Sequence, residues 1–436
     1  MRYLLICLLA LTACSGKKQP IANSAPANAP LKVEDLKESP RGTTIEGIKS
    51  LQPHEYNWFN MNPEIDKFEG VSSALAIKEF GLTHPKQIIV AVIDSGVDVH
   101  HEDLQGKIWE NPGESGDKAS NGIDDDKNGY IDDIHGWNFI GGKDGKHVDH
   151  ENLEMTRITA HFEKRIKSGE VLNAKDKAYF EEVKAVYLET FNEAQGALTQ
   201  VKPAKEKADK AMKLLKEKLG LEDYSAETLK AIKSEDKEVS DSIAALLTII
   251  GQFRSVDRLI RVFSYYDDML KYYLNKDFNA RSIVGDDPND FNDTKYGNND
   301  VFGPDASHGT HVSGTIAAIR GNGLGVDGIA ENVRIMVLRV VPNGDERDKD
   351  IALAVRYAAN NGAHIINMSF GKQFSPSKDK VDEAFLYAQS KGVLIAHAAG
   401  NESSNNDEVL FFPNRNVMNA KERNLPAQVS TWIEFG

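Results

Sequence analysis

Four continuous apolar runs predict buried strands, and they lie in two separate parts of the chain. They lie at residues 86–94, 334–341, 363–370 and 392–401. Runs of this length are typical of strands that are buried on both faces of a parallel sheet. Between the later runs, apolar side chains recur three and four positions apart, and each of these stretches ends in glycine, which predicts helices. The alternation predicts an α/β fold, a parallel sheet with helices on both faces.

Residues 150–285 follow a different pattern. This segment is rich in Lys, Glu and Ala, and its apolar residues recur at helical spacing. We predict an all-helical insertion of three to five helices, with breaks at Pro203 and Gly220. Two roles stay open for it. The lack of catalytic spacing favours a structural appendage, and the alternative is a lid that gates substrate.

The N-terminus combines one arginine, an apolar run of about ten residues and a cysteine. The run is too short to span a bilayer, and Leu11–Cys14 resembles the bacterial lipobox. We therefore predict a lipoprotein signal peptide at 1–14, with Cys14 lipidated and the protein anchored to the bacterial outer membrane. An ordinary signal peptide with a chance cysteine is the alternative. Residues 15–65 are rich in Pro, Ala and Lys and predict a tether.

Net charge and composition narrow the range of partners. The 436 residues carry a formal net charge of −14, which argues against a nucleic-acid partner. Hydrophobic residues make up 40% of the chain, enough for one large core or two smaller ones. Beyond the N-terminal run no apolar stretch is long enough to cross a bilayer, so membrane contact is expected through the lipid anchor only.

Three polar residues stand where the predicted sheet would gather them. Asp94 and Asn401 end predicted strands, and His308 opens a stretch of small residues that predicts a helix. Ligands collect beyond the carboxyl ends of parallel strands. A carboxylate that binds one imidazole nitrogen makes the other a useful base, and an amide can polarise a carbonyl. Taken singly, each residue is equally explained as a cap of a strand or helix.

Four motifs together resemble the subtilisin-like serine peptidases. They are VIDSGVDVHHEDL around Asp94, SHGTHVSGTIAA around His308, INMSFG at 366–371 and AHAAGN ending at Asn401. The resemblance covers about 70–140 and 286–401, and it implies a peptidase domain at 66–436 interrupted by the insertion. It implies that Asp94 orients His308 as the general base and that Asn401 donates to the oxyanion. The segment Ser369, Phe370 and Gly371 would pair with a peptide or protein substrate.

The nucleophilic serine of that family has no match in this sequence. Residues 402–436 contain no Gly-Thr-Ser-Met-Ala-like motif, and no further strand is expected after residue 414. We therefore expect a C-terminally truncated domain that is a serine endopeptidase by family and inactive as given. Truncation, frameshift and degeneration stay open as causes. The alternatives in function are a non-catalytic peptide-binding module and a non-functional fragment.

An acidic stretch, NGIDDDKNGYIDDIHG, has the spacing of a calcium loop. Asp124, Asp126 and Asn128 alternate as oxygen ligands, and Gly129 follows at the position of the sharp turn. Asp132 is predicted to complete the Ca²⁺ site. The glutamate that closes an EF-hand is missing from this spacing, and a solvated acidic turn is the alternative.

Overall fold

A computed structural model describes residues 57–81, 86–401, 403–406 and 408–436. The predicted signal peptide and Cys14 lie outside these residues. The described chain divides into a helical unit, residues 155–278, and an α/β unit, residues 57–154 and 279–436. Within the described ranges, no helix combines the length and the apolar character needed to cross a membrane.

The helices of the two units, in chain order, are α1 Ser73–Glu79, α2 Glu154–Lys167, α3 Ala174–Leu219, α4 Ala226–Ala231, α5 Lys237–Phe253, α6 Val256–Asp268, α7 Arg281–Val284, α8 Ser307–Ala317, α9 Asp348–Asn360 and α10 Lys378–Ser390. A π-helical turn, Met269–Tyr273, continues α6.

A six-stranded parallel sheet forms the centre of the α/β unit. Its strands are β1 Ile88–Asp94, β2 Gly136–Asn138, β3 Val333–Arg339, β4 Ile365–Met368, β5 Leu394–Ala398 and β6 Trp432–Phe435. The spatial order is β2-β3-β1-β4-β5-β6, and every pair is parallel. The four predicted apolar runs became β1, β3, β4 and β5, and the predicted fold class is confirmed.

Helices cover both faces of this sheet. Alternate residues of β1 point to opposite faces, so the strand contributes side chains to both layers. Val90 and Val92 belong to one core cluster with Ala317 of α8. Ala91 and Ile93 point to the other face and are fully buried. Helix α9 also contacts β1 and β3, and it packs against α10. The central strand is therefore shielded from water on both sides, as its unbroken apolar sequence predicts.

The helical unit has a core of its own. Small and aliphatic side chains of α3, α5 and α6 form one buried cluster that includes Leu215, Leu246 and Leu259. Polar side chains define where the helices begin. Asn173 accepts the Asp176 backbone N–H at the start of α3, and capping side chains also precede α4, α5 and α6. The sequence thus encodes both the helix starts and the apolar faces of this unit.

Pro203 does not break the helix, contrary to the sequence prediction. Helix α3 runs through it and ends at Gly220, whose φ of 64° caps the helix in the left-handed conformation. Proline removes one backbone hydrogen bond. Buried residues on both sides of it, Ala197 and Ala208, continue the same packed face. Packing onto α5 and α6 therefore outweighs the local cost, and tertiary context overrides the propensity of a single residue.

An additional strand and an earlier end of the tether also differ from the sequence predictions. β6 forms where no strand was expected, and it pairs with β5 from Ile395 to Ala398. The predicted tether also ends earlier than residue 65. The side-chain amides of Asn57 and Asn60 donate to Asp327 at 2.9 and 2.8 Å, which fixes residues 57–60 to the α/β unit. Hydrogen bonds between distant segments leave no periodic signal in the sequence.

Candidate active site

An aspartate–histidine pair lies at the carboxyl end of β1. His308 Nδ1 is 2.8 and 3.0 Å from the two carboxylate oxygens of Asp94. An ionised carboxylate only accepts, so Nδ1 carries the proton and the neutral ring keeps its lone pair on Nε2. Asp94 is 2% exposed, whereas the His308 side chain is 57% exposed. The pair therefore consists of a buried orienting group and a base that faces solvent, an arrangement suited to proton transfer.

Two backbone positions bring α8 close enough for this contact. A Cβ atom on Gly309 would collide with the carbonyl oxygen of Gly96 and lie 3.2 Å from the Asp94 Cβ. The backbone N–H of Ser95 donates to Asp94 Oδ1 at 2.7 Å and holds the carboxylate in place. Glycine at 309 thus allows α8 to begin directly against the end of β1.

The segment Ser369–Gly371 extends β4 and borders two concavities. Ser369 lines a cleft of about 280 Å³ together with Asp94 and His308. Ser369, Gly371 and Asn401 also line a larger cavity of about 840 Å³. The structure thus brings each predicted catalytic and substrate-binding residue to one of two concavities that share Ser369. Such concave surfaces beyond strand ends are where α/β proteins bind ligands.

His397 of β5 holds the segment Ser369–Gly371 through one hydrogen bond. Its Nε2–H donates to the Phe370 carbonyl oxygen at 3.0 Å, and its ring lies 4.9 Å from that of Trp432. Burial lowers the pKa of His397, so the ring stays neutral and keeps this single donor. His397 is not among the predicted site residues, although an ionisable residue within an apolar run is a usable signal.

Arg339 is a second residue that the sequence analysis missed. It is 2% exposed, lines the His308 cleft and donates from three nitrogens to uncharged oxygens. These acceptors are the carbonyls of Ser95 and Val148, both at 2.7 Å, and Oδ1 of Asn138 at 3.1 Å. Burial lowers the pKa of Arg339 to about 10, which still leaves it positive at neutral pH. The guanidinium of Arg339 therefore joins β3 to β2 and to Ser95, the residue that follows β1.

The acidic loop gathers some of its predicted ligands and separates others. Carboxylate oxygens of Asp124 and Asp126 lie within 4.8 Å of each other and of Glu114, which the sequence analysis did not include. The carboxylate of Asp132 instead accepts the backbone N–H groups of Asn121 and Gly122 at 3.0–3.1 Å. The side-chain amide of Asn128 donates to Asp126 and to Asp133.

The family of the chain follows from a match over most of its length. The model of the subtilase family, peptidase S8, matches residues 85–436. The chain belongs to the subtilase family. Its sheet, its Asp94–His308 pair and its four motifs lie within the matched range. The predicted family is therefore confirmed.

Individual relatives of this subtilase are serine proteases. A thermophilic serine proteinase of Bacillus sp. (strain AK1) is 38% identical over 133 residues, 30% of this chain and 31% of that protein. Subtilisin Savinase of Lederbergia lenta is 40% identical over 98 residues, 22% of this chain and 35% of that protein. The chain thus spans about a third of the length of these curated relatives.

Solved structures of proteases also align with parts of the chain. An S41 psychrophilic protease shares 33% identity over 28% of this chain and 40% of its own, with a TM-score of 0.24. Sphericase shares 36% identity over 24% of this chain and 36% of its own, with a TM-score of 0.21.

Proposed function

We propose that this subtilase supplies the orienting acid, the general base and the substrate-binding segment of a serine endopeptidase that acts on peptides or proteins. The observation that carries the proposal is the Asp94–His308 pair at 2.8 Å, which lines the same cleft as Ser369. In this reaction His308 Nε2 would take the proton of an attacking hydroxyl, and buried Asp94 would stabilise the imidazolium.

The substrate would lie along Ser369–Gly371 as an added strand. The backbone of this segment continues β4 beyond its last ladder residue, Met368, and borders the cavity that Asn401 also lines. Peptides bound in this way gain affinity from backbone hydrogen bonds, and pockets along the segment select side chains. The side-chain amide of Asn401 would donate to the oxyanion that forms at the scissile carbonyl.

We further propose that the 436-residue chain forms no acyl-enzyme by itself. Two serines line the His308 cleft. Ser95 Oγ donates to the Asp305 carbonyl at 2.9 Å, and Ser369 Oγ accepts from Asn367 at 3.1 Å. Within the described ranges neither hydroxyl bonds to His308. A base without a hydroxyl to activate makes no covalent intermediate, and oxyanion stabilisation with binding leaves about 10³–10⁴-fold over water.

A fluorophosphonate probe and labelled casein test this proposal. The purified 436-residue chain should show neither covalent labelling nor casein cleavage above background, while Subtilisin Savinase in parallel shows both. Labelling that disappears in His308→Ala would contradict the proposal by revealing a nucleophile. Casein peptides that bind without cleavage would favour the second candidate function, a peptide-binding module. That candidate is supported by the hydroxyls of Ser95 and Ser369, which already form hydrogen bonds with other residues.

We also propose that Cys14 carries lipid and anchors the mature protein to the outer membrane. The lipobox-like Leu11–Cys14 and the proline-rich tether support this. Metabolic labelling with a tagged fatty acid should mark the protein, and Cys14→Ser should abolish the label. Cys7, the only other cysteine, offers a matched control, because Cys7→Ser should leave labelling intact. A mature chain that stays unlabelled and freely soluble would refute the anchor.

A further inference from the structure

The cleft that contains the candidate base carries more negative than positive charge. Asp149 and Asp305 line it together with Asp94 and His308, and Arg339 supplies the positive charge among its lining residues. Three aspartates and one guanidinium leave two negative charges in excess. Asp94 already accepts from His308, and Arg339 already donates to three uncharged oxygens. Asp149 and Asp305 therefore supply the charge that a bound side chain would meet.

Neither of these two carboxylates pairs with a lysine or arginine in the described part of the chain. Asp149 Oδ1 accepts the side-chain amide of Asn343 at 2.8 Å, and its Oδ2 lies 3.6 Å from Nε2 of His150. Asp305 Oδ1 accepts the hydroxyl of Ser307 at 2.6 Å and its backbone N–H at 2.9 Å. These two hydrogen bonds lower the pKa of the Asp305 carboxyl. Both aspartates are exposed, so each is accessible to a cation that a ligand brings.

The cleft also has an apolar part. Val341 and Pro342, which follow β3, contribute to its wall. Its volume of about 280 Å³ is small for a whole ligand and suits one long side chain. Lysine and arginine bury an aliphatic stem along apolar surface and keep the charged end in contact with water. An apolar wall combined with exposed carboxylates matches such a side chain along its stem and at its end.

We propose that the His308 cleft selects a lysine or arginine side chain of the bound peptide, with Asp149 and Asp305 as the specificity-determining residues. A peptide that lies along Ser369–Gly371 as an added strand points alternate side chains to opposite sides. Ser369 lines both this cleft and the larger cavity, so one side chain of such a peptide enters the cleft. The inference rests on the proposed function, because it takes that segment to hold the substrate.

Binding of labelled peptides to the full 436-residue chain, measured by fluorescence anisotropy, tests this selection without requiring cleavage. The probes are alanine hexapeptides with one lysine, norleucine or glutamate, placed at each position in turn and carrying the same uncharged dye. At one position the lysine peptide should bind about tenfold more tightly than the norleucine peptide, because two exposed ion pairs of up to about fivefold each act together. The glutamate peptide should bind most weakly, and rising ionic strength should reduce these differences.

Substitution of the two carboxylates assigns the preference to the cleft. Asp149→Asn and Asp305→Asn keep an oxygen that accepts the existing hydrogen bonds and remove the charge. Each should lower the preference for lysine over norleucine by about threefold, and the double variant should abolish it. Asp144→Asn is the matched control, because Asp144 is an exposed aspartate that does not line the cleft. This control should keep the full preference.

The possible outcomes separate this inference from the proposed function. Equal binding of the lysine, norleucine and glutamate peptides would overturn the inference and leave the proposed function standing. So would a preference that survives in the double variant, or one that Asp144→Asn lowers as much as Asp149→Asn does, since the net charge of −14 would then explain it. If no peptide binds, the proposed function fails and the inference fails with it. Should the double variant not fold, as judged by tryptophan emission, the two single variants decide by the same criterion.

Discussion

Arg281→Met is expected to lower the free energy of unfolding of the α/β unit by about 3–5 kcal/mol, the cost of leaving a buried charge without its partner. Arg281 is 4% exposed. Its two terminal nitrogens donate to both carboxylate oxygens of Asp350, at 2.8 and 3.2 Å, and its Nε donates to Asp286 at 2.7 Å.

The substitution affects the two carboxylates differently. Asp286 keeps an ion pair with Lys349 at 2.8 Å. Among the described residues, Asp350 keeps only the hydroxyl of Tyr296, at 2.6 Å, and loses its bidentate guanidinium. A fully buried carboxylate with one neutral donor is poorly compensated, and total stabilities are only about 5–15 kcal/mol. The loss should therefore remove a large share of the stability of this unit.

Tryptophan fluorescence during urea unfolding measures this effect in one unit. All four tryptophans of the chain, Trp58, Trp109, Trp137 and Trp432, lie in the α/β unit, so the helical unit contributes no signal. Arg423→Met is the matched control. That guanidinium pairs with partly exposed Glu383 at 2.7 Å, and its loss should cost at most about 1 kcal/mol. Similar midpoints for both variants would contradict the prediction.

Two glycines of one helix should respond in opposite ways to the same change. Gly309→Ala puts a methyl group against the Gly96 carbonyl and Asp94, so α8 must move away from β1, which costs about 1–3 kcal/mol. Gly314→Ala places its methyl group where no atom lies within 4 Å, and it should stabilise the helix by up to about 1 kcal/mol.

The same urea unfolding experiment distinguishes close packing from helix propensity. If propensity alone decided the outcome, both substitutions in α8 would raise the midpoint. The structure predicts that Gly309→Ala lowers it and Gly314→Ala raises it. A higher urea midpoint in Gly309→Ala than in wild type would show that α8 does not need its close approach to Asp94. The prediction therefore tests the packing that positions His308.

The sequence predicts those strands in which apolar residues predominate. Strands β1, β3, β4 and β5 are of this kind, so the local pattern is enough to predict them. β2 has only three residues, and three of the four residues of β6 are exposed. Strands of this kind form because a neighbouring strand offers unpaired N–H and C=O groups, and that depends on the assembled sheet rather than on local pattern.

The candidate site shows the same limit at the level of single side chains. Motifs located Asp94 and His308 because the family places those residue types in a fixed order along the chain. Spacing alone could not separate Asp126, which faces other carboxylates, from Asp132, which binds backbone N–H groups. It also could not find Glu114, whose proximity to Asp124 and Asp126 arises from the folded path of residues 111–133. The direction in which a side chain points is determined by the folded structure and not by sequence spacing.

The insertion of the helical unit sets an order of events during synthesis. β1 lies between β3 and β4, and about 240 residues separate the end of β1 from the start of β3. At about 5–20 residues per second, the ribosome takes about 12–50 s to supply the first neighbour of β1. The helical unit is made of one continuous stretch and can fold meanwhile. Throughout that interval β1 has neither of its neighbouring strands, so its apolar residues lack the partners that bury them in the folded sheet.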